Sequence, residues 1–360
     1  MNIGFVVHHY DPADGTGGYA AQLVPRIATQ HEVTLYAAAL RAPVPANVRV
    51  VRVPAVAGSA YLKILTFPAA FAAVRRRHEL VHAQGWVATS AELVTAHIVL
   101  AAWREAAARA RIPVPPGERW LGGFVARREA GLLARARHVI APSERARADI
   151  RRCAGRADGV SVIHHGFPAF AVPLDRKTAR RRFRLPDDGF VALYAGDARK
   201  GFADAVTALA AVPGARLLVA SRSQRAPYEA LAKARGVASR LCWTGALDDM
   251  GPAYAAADVL LYPTIYDTFS MVVAEAMAFG VPVIVSREAG ITDLIEHRQS
   301  GWILDSRGPE AAAALRALQD DPALRTRLAD GGRAVAARRM WDHVAAETME
   351  TYRRTVETGR

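Results

Sequence analysis

Cysteine and long apolar runs are scarce in this sequence. Its 360 residues include two cysteines, Cys153 and Cys242, which lie far apart and in no metal-ligand spacing. This pattern argues against a disulfide framework and favours a reducing compartment. The longest weakly polar run, residues 91–103, contains Glu92 and His97 and is too short to cross a bilayer. The chain opens on an apolar run with no basic segment before it, so we expect a strand there and not a signal peptide.

Lysine is also scarce, and the basic charge is unevenly distributed. Four of the 47 basic residues are lysine, and the net charge is +13. Residues 1–168 hold 21 Lys and Arg against 11 Asp and Glu, whereas the remainder holds 26 against 23. The excess in the first half indicates an anionic partner, which can be a nucleic acid, a membrane surface or an acidic substrate. A general preference for arginine explains the same numbers without any partner.

Strand-length apolar runs alternate with segments of helical period in both halves of the chain. The first half contains the strand candidates IGFVVH, EVTLYA, VRVVRV, LVHAQ, ELVTAH and HVIAPS, and the second contains FVALYAG, RLLVAS, RLCWTG, DVLLYP, VPVIVS and GWILD. Helical segments between them include 203–212, 226–236 and 271–279. This alternation predicts parallel βαβ units with sheets covered on both faces. We therefore predict an α/β fold of two doubly wound domains, with the boundary within residues 164–173, where glycine and proline interrupt the pattern.

The segment YPTIYDTFSMVVAEAMAFGVPVIVS, residues 262–286, carries two acids in otherwise apolar surroundings. A strand is followed by a polar turn that contains Asp267, and a helix is then expected from an N-cap at Ser270 to a glycine at Gly280. Ligands of open parallel sheets bind beyond the carboxyl ends of the strands, and helix starts attract anions. Asp267 and Glu275 are therefore placed to bind sugar hydroxyls while the helix start holds a phosphate. In the structural alternative, one acid forms a turn and the other stabilises a helix start.

This segment resembles the signature of retaining glycosyltransferases of family 4, which have the GT-B architecture. The family has two glutamates separated by seven residues, then alanine, a small or apolar pair, glycine and proline. Here Asp267 stands at the first position and Glu275 at the second, before AMAFGVPVI. The neighbouring sequences AYAAADVLLYPT and GITDLIEHRQSGWILD are also similar to the family. The resemblance covers nearly the whole chain and is strongest over residues 190–305.

The resemblance implies two Rossmann-like domains that face a cleft. Residues 1–168 would form the acceptor-side domain, completed by a carboxyl-terminal helix at about 341–360, and residues 169–340 would bind the nucleotide sugar. Glu275 would hold the ribose hydroxyls and Asp267 would contact the transferred sugar. The backbone that faces the donor sugar and diphosphate would be that of Phe269, Ser270, Met271 and Val272.

A second candidate site is YAGDARKGF, residues 194–202, where glycines flank a basic pair at a strand end. Negative charge grows on the leaving diphosphate during sugar transfer, so fixed cations here would lower the barrier. Arg199 can fork onto phosphate oxygens and Lys200 can act as a point charge. The family separates its arginine from its lysine, so Lys200 matches the family better than Arg199. A solvated basic turn is the structural alternative.

Two further candidates lie in the first half. Gly17 and Gly18, in DPADGTGGYAAQL, predict a turn between the first strand and the first helix that lets backbone N–H groups approach a phosphate or sugar. They look like the paired-glycine loop of the family. His97 ends the strand candidate ELVTAH and matches a family histidine near the donor sugar, although a lone strand-end histidine is often structural.

The expected chemistry is a metal-independent, retaining transfer. No side chain in these motifs is an obvious nucleophile, and the family resemblance implies that a donor phosphate oxygen accepts the acceptor's proton. Cationic side chains and a helix start can replace a metal, and the pair Asp248 and Asp249 looks like a helix cap. We therefore expect no cofactor and no metal, with the nucleotide sugar as a substrate.

The predicted function is transfer of a hexose from a nucleotide sugar to a glycan or glycolipid acceptor. UDP-glucose is the best guess, because residues 197–221 and 266–278 look like lipopolysaccharide-core glucosyltransferases. UDP-linked aminosugars and GDP-mannose stay open as donors. A sugar-nucleotide epimerase of the same fold, a sugar-binding protein without turnover and a basic nucleic-acid-binding protein are the alternatives. Aromatic residues are not interleaved with the basic ones as a nucleic-acid platform requires, so no nucleic-acid partner is expected.

The two segments 59–79 and 118–138 mix aromatic and apolar residues with arginines. The first ends in Arg75, Arg76 and Arg77. Amphipathic basic surfaces of this type bind anionic lipid headgroups. We therefore predict a cytoplasmic enzyme that associates peripherally with the inner membrane face and uses a lipid-linked or lipopolysaccharide acceptor. A core covered by a solvated arginine rim is the structural alternative.

Overall fold

A computed structural model of the chain describes residues 1–54, 60–114, 116–169 and 174–358. The described chain divides into two compact units, Met1–His165 with Trp341–Arg360, and Gly166–Met340. The predicted boundary segment, 164–173, contains this division between residues 165 and 166, and its residues 170–173 lie outside the described residues.

The first unit is built of β-strands and α-helices that alternate along the chain. In chain order they are β1 (Asn2–Val6), β2 (His9–Tyr10), α1 (Gly15–Ile27), β3 (Glu32–Ala37), β4 (Ala39–Leu40), β5 (Arg49–Arg52), α2 (Ala60–Val74), β6 (Leu80–Gln84), β7 (Leu93–Thr95), α3 (Leu100–Arg109), α4 (Pro116–Arg135), β8 (His138–Ala141), α5 (Glu144–Ala154) and β9 (Val160–Val162).

The second unit repeats this alternation, and the chain then returns to the first unit. The elements are α6 (Arg176–Arg182), β10 (Val191–Ala195), α7 (Phe202–Ala211), β11 (Arg216–Ala220), α8 (Ala226–Ala234), β12 (Leu241–Gly245), α9 (Gly251–Ala256), β13 (Val259–Tyr262), α10 (Met271–Ala278), β14 (Val283–Ser286), β15 (Trp302–Leu304), α11 (Gly308–Asp320) and α12 (Pro322–Arg338), followed in the first unit by α13 (Trp341–Glu357). Short 3₁₀ helices span Ala198–Lys200, Ala238–Arg240 and Gly290–Leu294.

Among the described residues, each unit contains one large parallel sheet. The sheet of the first unit has the order β5-β3-β1-β6-β7-β8-β9, and that of the second has the order β12-β11-β10-β13-β14-β15. Every residue of β10, β13 and β14 is buried, because helices cover both faces of the sheet. The predicted fold class, two doubly wound α/β domains, is confirmed.

In each sheet the strand order reverses beside a central strand. The chain runs outwards from β1 to β3 and β5 and then resumes at β6 on the other side of β1. In the second sheet it runs from β10 to β11 and β12 and resumes at β13. Loops that leave such paired strands diverge at the carboxyl edge of the sheet, which makes this edge the usual ligand crevice of open α/β sheets.

A buried histidine links α13 to the sheet of the first unit. His82 of β6 makes hydrogen bonds to Tyr352 of α13 through Nδ1, at 2.8 Å, and to Thr95 of β7 through Nε2, at 2.7 Å. Burial lowers the pKa of His82 to about 3, so the ring is neutral near neutral pH. His82 therefore has a structural role, and the carboxyl-terminal helix belongs to the first unit.

A buried arginine organises the start of the second unit. Arg180 of α6 is fully buried and donates to the carbonyl oxygens of Ala256, Asp187 and Gly189 at 3.1, 2.8 and 3.0 Å. Its Nη2 also lies 2.7 Å from Asp258 Oδ2. These contacts join α6 to the amino-terminal end of β13, so the buried charge is fully hydrogen-bonded, as burial of an arginine requires.

Within the described ranges, the helices lack the combination of length and apolarity that a bilayer crossing would require.

Candidate functional site

The loop after β10 holds Lys200 in a fixed position. Asp197 caps the 3₁₀ helix Ala198–Lys200 by accepting a hydrogen bond from the Arg199 N–H at 2.9 Å. The next residue, Gly201, has φ +135°, and a Cβ atom there would lie 2.0 Å from the carbonyl oxygen of Pro263. Only glycine fits both the backbone conformation and the close approach. The sequence Lys200-Gly201 therefore ties the end of β10 to the end of β13.

Lys200 and Asp267 meet at this edge of the sheet. Lys200 Nζ lies 3.0 Å from Asp267 Oδ2, and the Tyr262 hydroxyl donates to the same oxygen at 2.8 Å. The side chain of Asp267 is 15% exposed and that of Lys200 is 26% exposed. Burial raises the pKa of Asp267, but the Lys200 charge and the hydrogen bonds from Tyr262, Lys200 and the Phe269 N–H outweigh it, so the pKa lies below the ordinary value. The aspartate is therefore a fixed anion beside a fixed cation.

Helix α10 begins at the same edge with a strained residue. Ser270 is the N-cap, as predicted, but its backbone is left-handed, with φ 91° and ψ 79°. Its hydroxyl makes no cap hydrogen bond, contrary to the usual N-cap geometry, because the left-handed backbone replaces the extended one. The residue is 4% exposed, and its Oγ has no hydrogen-bond partner among the described residues. The buried Ser270 hydroxyl and the start of α10 thus lie together at this edge of the sheet.

The backbone around Ser270 is held by the neighbouring loop. The Phe269 carbonyl accepts from the Ile291 N–H at 2.8 Å, and the Phe269 ring is buried in the core. Met271 and Val272 are half-buried in the first turn of α10. Gly280 follows the helix with φ 74°, as its sequence position predicts. The structure therefore brings the four predicted backbone positions, 269–272, to the same edge as Lys200.

Glu275 lies one turn inside α10 and has a tyrosine partner. The Tyr254 hydroxyl of α9 donates to Glu275 Oε2 at 2.6 Å. Burial raises the pKa of Glu275, and the hydrogen bond from Tyr254 offsets part of this rise. No described residue donates to the second carboxylate oxygen, Oε1, which can therefore accept hydrogen bonds from another group. This geometry suits a side chain that binds a pair of hydroxyl groups.

Arg199 is oriented differently from Lys200. Its guanidinium forks onto Asp197, with Nη2 2.7 Å from Oδ2 and Nε 3.0 Å from the same oxygen. Ser223, in the loop after β11, supports the arrangement by accepting from the Ala198 N–H at 3.0 Å. The predicted fork of Arg199 on a phosphate would require this ion pair to open, and the role stays a prediction.

The paired glycines of the first unit do not form the predicted turn. Gly17 and Gly18 lie in the first turns of α1, which begins at Gly15, and the Gly18 N–H donates to the Asp14 carbonyl within the helix. A Cβ atom on Gly17 would lie 2.6 Å from the carbonyl oxygen of Asp11. Glycine is required there because the loop that follows β2 crosses close to the helix. The prediction of a turn was therefore wrong, and a role for these glycines at a ligand stays a prediction.

His97 lies beyond the end of β7 in a cluster of rings. Its Nε2 is 2.8 Å from Gln84 Oε1, at the end of β6. The ring of Tyr19 lies edge-on to it, with 4.8 Å between centroids, and His165 lies 5.5 Å away. Burial lowers the pKa of His97 to about 3, so near neutral pH the ring is neutral and can donate or accept a hydrogen bond but carries no charge. The predicted role of His97 therefore has to be that of a neutral hydrogen-bonding group.

Metal ligands do not gather in the described part of the chain. No group of three or more His, Cys, Asp or Glu side chains there has the geometry to hold a metal ion. The N-cap of α9 is Met250, not one of the two aspartates predicted to cap the helix, although Asp249 Oδ1 accepts from the Gly251 N–H at 2.9 Å just before it.

Several side chains of the site were missed from the sequence. Tyr254 and Tyr262, which hold the two acids, lie in the quoted segment AYAAADVLLYPT, but their spacing from the acids carries no simple pattern. Tyr262 could have been found, since it is the last residue of a strand whose carboxyl end faces the predicted site. Ser223 follows a strand in the same way and was also missed.

Family comparisons agree with this geometry. Residues 175–335 match the family described as "Glycosyl transferases group 1", and residues 13–169 match "Glycosyltransferase Family 4". Together the two matches cover most of the chain. Both units are glycosyltransferase-family domains. The chain therefore combines two such domains in the GT-B fold class, as the resemblance implied. The narrower similarity to lipopolysaccharide-core glucosyltransferases stays a prediction.

Proteins with similar sequences include glycosyltransferases. A D-inositol 3-phosphate glycosyltransferase of Nocardioides sp. strain JS614 is 33% identical over 224 residues, which are 54% of this chain and 48% of that protein. The chain thus spans about half the length of the first curated relatives that it matches.

Solved structures show the same fold. WaaG, a glycosyltransferase involved in lipopolysaccharide biosynthesis, superposes with a TM-score of 0.79 at 18% identity and covers 96% of this chain and 98% of its own. HepE of Anabaena, in complex with UDP-glucose, has a TM-score of 0.72 at 18% identity and covers 98% and 99%. At these identities the similarity concerns the fold alone.

Proposed function

We propose that this protein is a retaining, metal-independent glycosyltransferase that moves a hexose from a nucleotide sugar to a glycan or glycolipid acceptor. One observation carries the proposal. Lys200, Asp267 and the start of α10 with its unpartnered Ser270 hydroxyl meet at the carboxyl edge of one parallel sheet. Lys200 and the start of α10 can bind a diphosphate, and the carboxylate of Asp267 can bind a sugar.

The donor would lie along this edge in a defined order. The diphosphate would contact Lys200, the Ser270 hydroxyl and the N–H groups that begin α10, since these are the positive and donating groups. Asp267 would accept hydrogen bonds from the hydroxyls of the transferred sugar. Glu275, with one oxygen already bound to Tyr254, would accept from the ribose hydroxyls through the other. The two acids thus bind different parts of one molecule, which accounts for their separation by one helical turn and a loop.

The proposed reaction balances without an enzyme nucleophile. The bond between the sugar C1 and the diphosphate oxygen breaks, and the acceptor oxygen bonds to C1 from the same face. The acceptor proton passes to a phosphate oxygen of the leaving group. The protein contributes orientation and stabilisation of the negative charge that grows on the diphosphate, chiefly through Lys200 and α10.

UDP-glucose is the first donor to test. The support is the sequence resemblance of residues 197–221 and 266–278 to glucosyltransferases, together with the HepE complex of the same fold. UDP-linked aminosugars and GDP-mannose belong in the same panel, because the sequence resemblance leaves them open as donors.

The acceptor should be anionic, because the first half of the chain holds almost all of the excess positive charge. A lipid-linked or lipopolysaccharide glycan is the first candidate, with the enzyme bound peripherally to the inner face of the membrane. An inositol phosphate is the second, because the relative from Nocardioides carries that activity in its name. Both candidates present phosphate groups to arginines, and they differ in whether a hydrophobic chain is attached.

Two of the three alternative classes, the epimerase and the nucleic-acid-binding protein, predict different side chains, and donor turnover separates the third, a sugar-binding protein. An epimerase would need a group at the sugar that is basic enough to remove a proton, whereas Lys200 and the hydrogen bonds to Asp267 lower its pKa and make it a weaker base. A nucleic-acid-binding protein would need exposed aromatic platforms, and of the described aromatic residues Trp120 is the strongly exposed one. Neither class accounts for the cluster at the edge of the second sheet.

The decisive experiment is a panel of nucleotide sugars, scored by thermal shift and by slow donor hydrolysis. A single donor should stabilise the protein and release its nucleoside diphosphate. Asp267→Asn should reduce turnover more than nucleotide affinity, whereas Glu275→Gln should reduce nucleotide affinity, by about 1.5–3 kcal/mol, since it loses charge-assisted hydrogen bonds. If both variants hydrolyse and bind the donor like the wild type, the site is wrongly assigned.

A further inference from the structure

The first unit contains an open groove between α2 and α4. Its volume is about 310 Å³, which is at the lower end of small-molecule sites. One wall is formed by Leu65, Pro68 and Ala69 of α2, and the other includes Phe124 of α4. Trp86, from the loop after β6, completes the apolar lining. Most of these lining residues are therefore aliphatic or aromatic, which suits a flexible apolar chain.

Two arginines border this groove. Arg128 and Arg135 of α4 both line it and are both exposed at the surface. The guanidinium carbon of Arg128 lies 5.0 Å from the centre of the Phe124 ring, which keeps the charge over the apolar wall. Neither arginine forms an ion pair with a described residue, and none of the described lining residues is acidic. The groove thus pairs an apolar trough with two available cations.

The groove begins beside the predicted acceptor edge of the sheet. Trp86 follows Gln84 by two residues, so their Cα atoms lie within about 7.6 Å. Gln84 is the end of β6 and holds His97 at 2.8 Å. The β1/β6 pair is the point at which the strand order reverses, where ligands of such sheets bind. Trp86 therefore places one part of the groove near this edge of the sheet.

We propose that the α2–α4 groove binds the hydrophobic chain of the acceptor, and that Arg128 and Arg135 bind the phosphate attached to that chain. The acceptor is then a single-chain or polyprenyl-type lipid phosphate, or a glycolipid with an anionic head. That the bound lipid is the acceptor rests on the proposed function. Binding of an anionic lipid in the groove does not depend on the proposed function. A free inositol phosphate would leave the apolar lining without a partner.

Charge and shape favour this occupant over a protein helix. A partner helix would need a longer, uncharged apolar groove with anchors at helical spacing, whereas this groove is short and carries two cations at its border. A flat membrane contact needs an exposed surface and not a trough. Binding of one anionic amphiphile uses both features.

The test uses monomeric probes and the full chain. Decyl phosphate, butyl phosphate and decyl maltoside are compared below the concentrations at which they form micelles, with binding followed by tryptophan fluorescence. Decyl phosphate should bind at least tenfold more tightly than either of the others, because each added methylene contributes about fourfold and each arginine about fivefold. Trp86→Phe identifies the part of the signal that comes from the groove.

Two pairs of variants locate the binding. Ala69→Trp and Thr89→Trp place bulk in the groove at exposed positions and should each weaken decyl phosphate binding at least tenfold. Arg128→Ser combined with Arg135→Ser should remove the preference for the phosphate over the maltoside. Arg127→Ser, at an exposed neighbour on α4 outside the groove, is the matched control and should bind like the wild type.

Donor binding separates this proposal from the proposed function. All groove variants should keep wild-type affinity for the donor and wild-type donor hydrolysis. If the wild type hydrolyses a nucleotide sugar but binds decyl phosphate no better than butyl phosphate, the groove proposal is overturned. If it binds decyl phosphate in the groove but no nucleotide sugar, the proposed function fails and the groove stands. Binding to anionic vesicles without binding to monomeric decyl phosphate, or binding of an apolar helical peptide in its place, would also overturn the groove proposal.

Discussion

Lys200 Nζ and Asp267 Oδ2 lie 3.0 Å apart, although the residues are separated by 67 positions in the chain. The pair connects the loops that leave two adjacent parallel strands, β10 and β13. Each charge therefore holds the other in place at the edge of the sheet. In the proposed reaction the lysine is shared between this aspartate and the diphosphate.

The first prediction concerns Lys200. Lys200→Met should weaken the binding of a nucleoside diphosphate by about 1.5–3 kcal/mol, because a charge-assisted hydrogen bond to phosphate is lost. The binding of the free nucleoside should change little. Titration calorimetry with the diphosphate and the nucleoside measures the difference.

A matched control supports this measurement. Lys233→Met removes one of the other lysines, at an exposed position on α8, and should leave both affinities unchanged. Equal losses for nucleoside and diphosphate in the Lys200 variant would mean that the lysine supports the fold of the loop and not the phosphate.

The second prediction is a pH dependence that comes from Glu275. Burial raises the pKa of this carboxyl group, so its ionised form, which accepts hydrogen bonds from hydroxyls, is lost at a higher pH than for an ordinary glutamate. Nucleotide affinity should therefore fall as the pH is lowered. Tyr254→Phe removes the hydrogen bond that favours the ionised form, so the fall should move to higher pH.

Affinity measured across a pH series checks this prediction. Glu275→Gln should bind more weakly and show no such dependence, since the amide does not titrate. An unchanged pH profile in the Tyr254 variant would contradict the assignment of the titration to Glu275.

The third prediction separates the backbone and the hydroxyl of Ser270. Its φ of 91° is costly for a residue with a side chain. Ser270→Gly should raise the free energy of unfolding by about 0.5–1 kcal/mol, because relief of strain exceeds the added chain entropy. Ser270→Ala should give no such gain. Both variants should weaken donor binding, since both lose the hydroxyl.

Urea unfolding and donor titration of the two variants give the readout. If the alanine variant binds the donor like the wild type, the Ser270 hydroxyl does not bind the donor. Ser270 would then contribute to the site through its backbone alone.

Much of the fold follows from the sequence because its strands are buried on both faces. Continuous apolar runs such as VALYA and VLLY mark β10 and β13 directly, and the helix predicted at 271–279 is observed as Met271–Ala278. Strand β9, Val160–Val162, was missed because it is short, half-buried and at the edge of its sheet. Edge strands bury one face, so their pattern is weak.

The site was harder to predict because it depends on pairing across the sheet. The sequence indicated Lys200 and Asp267 as separate candidates, and nothing local shows that they form one ion pair. Gly17 and Gly18 were interpreted as a turn because glycine adopts backbone conformations that other residues avoid. In the structure Gly17 is in a helix, and its missing side chain lets the backbone at Asp11 pass close to it. Spacing along the chain reports local conformation; close approach between distant segments is set by packing.

The fourth prediction tests the buried charge of the second unit. Arg180→Met should lower the free energy of unfolding by about 3–5 kcal/mol, because Asp258 loses a buried partner and several carbonyl oxygens lose their donor. Urea denaturation measures the change. Arg181→Ser is the control: its side chain is 72% exposed and lies 3.5 Å from Asp187, so the change should stay within about 1 kcal/mol. Similar losses in both variants would show that α6 tolerates no change at all, and the buried network would then have no special role.

The last prediction concerns the membrane. Arg76 and Arg77 follow the end of α2 and are exposed, whereas Arg75 is half-buried and lies 3.8 Å from Glu92. The two exposed arginines should therefore contribute most of the attraction that this segment has for anionic lipid, at about 1 kcal/mol each near the surface. The protein should sediment with anionic vesicles at low salt, stay in solution with neutral ones and be released at high salt, because salt screens exposed charges.

Paired variants of equal charge test whether the attraction is local. Arg76→Ser with Arg77→Ser should weaken vesicle binding about 10- to 30-fold and leave donor affinity intact. Arg181→Ser with Arg182→Ser removes the same charge from exposed positions on the second unit and should have a much smaller effect. If the two double variants lose binding equally, net charge and not this segment drives the association. If the wild type partitions equally onto neutral and anionic vesicles, or onto neither, the peripheral location at a membrane is wrong, and a soluble anionic acceptor such as an inositol phosphate becomes the better explanation of the basic first half.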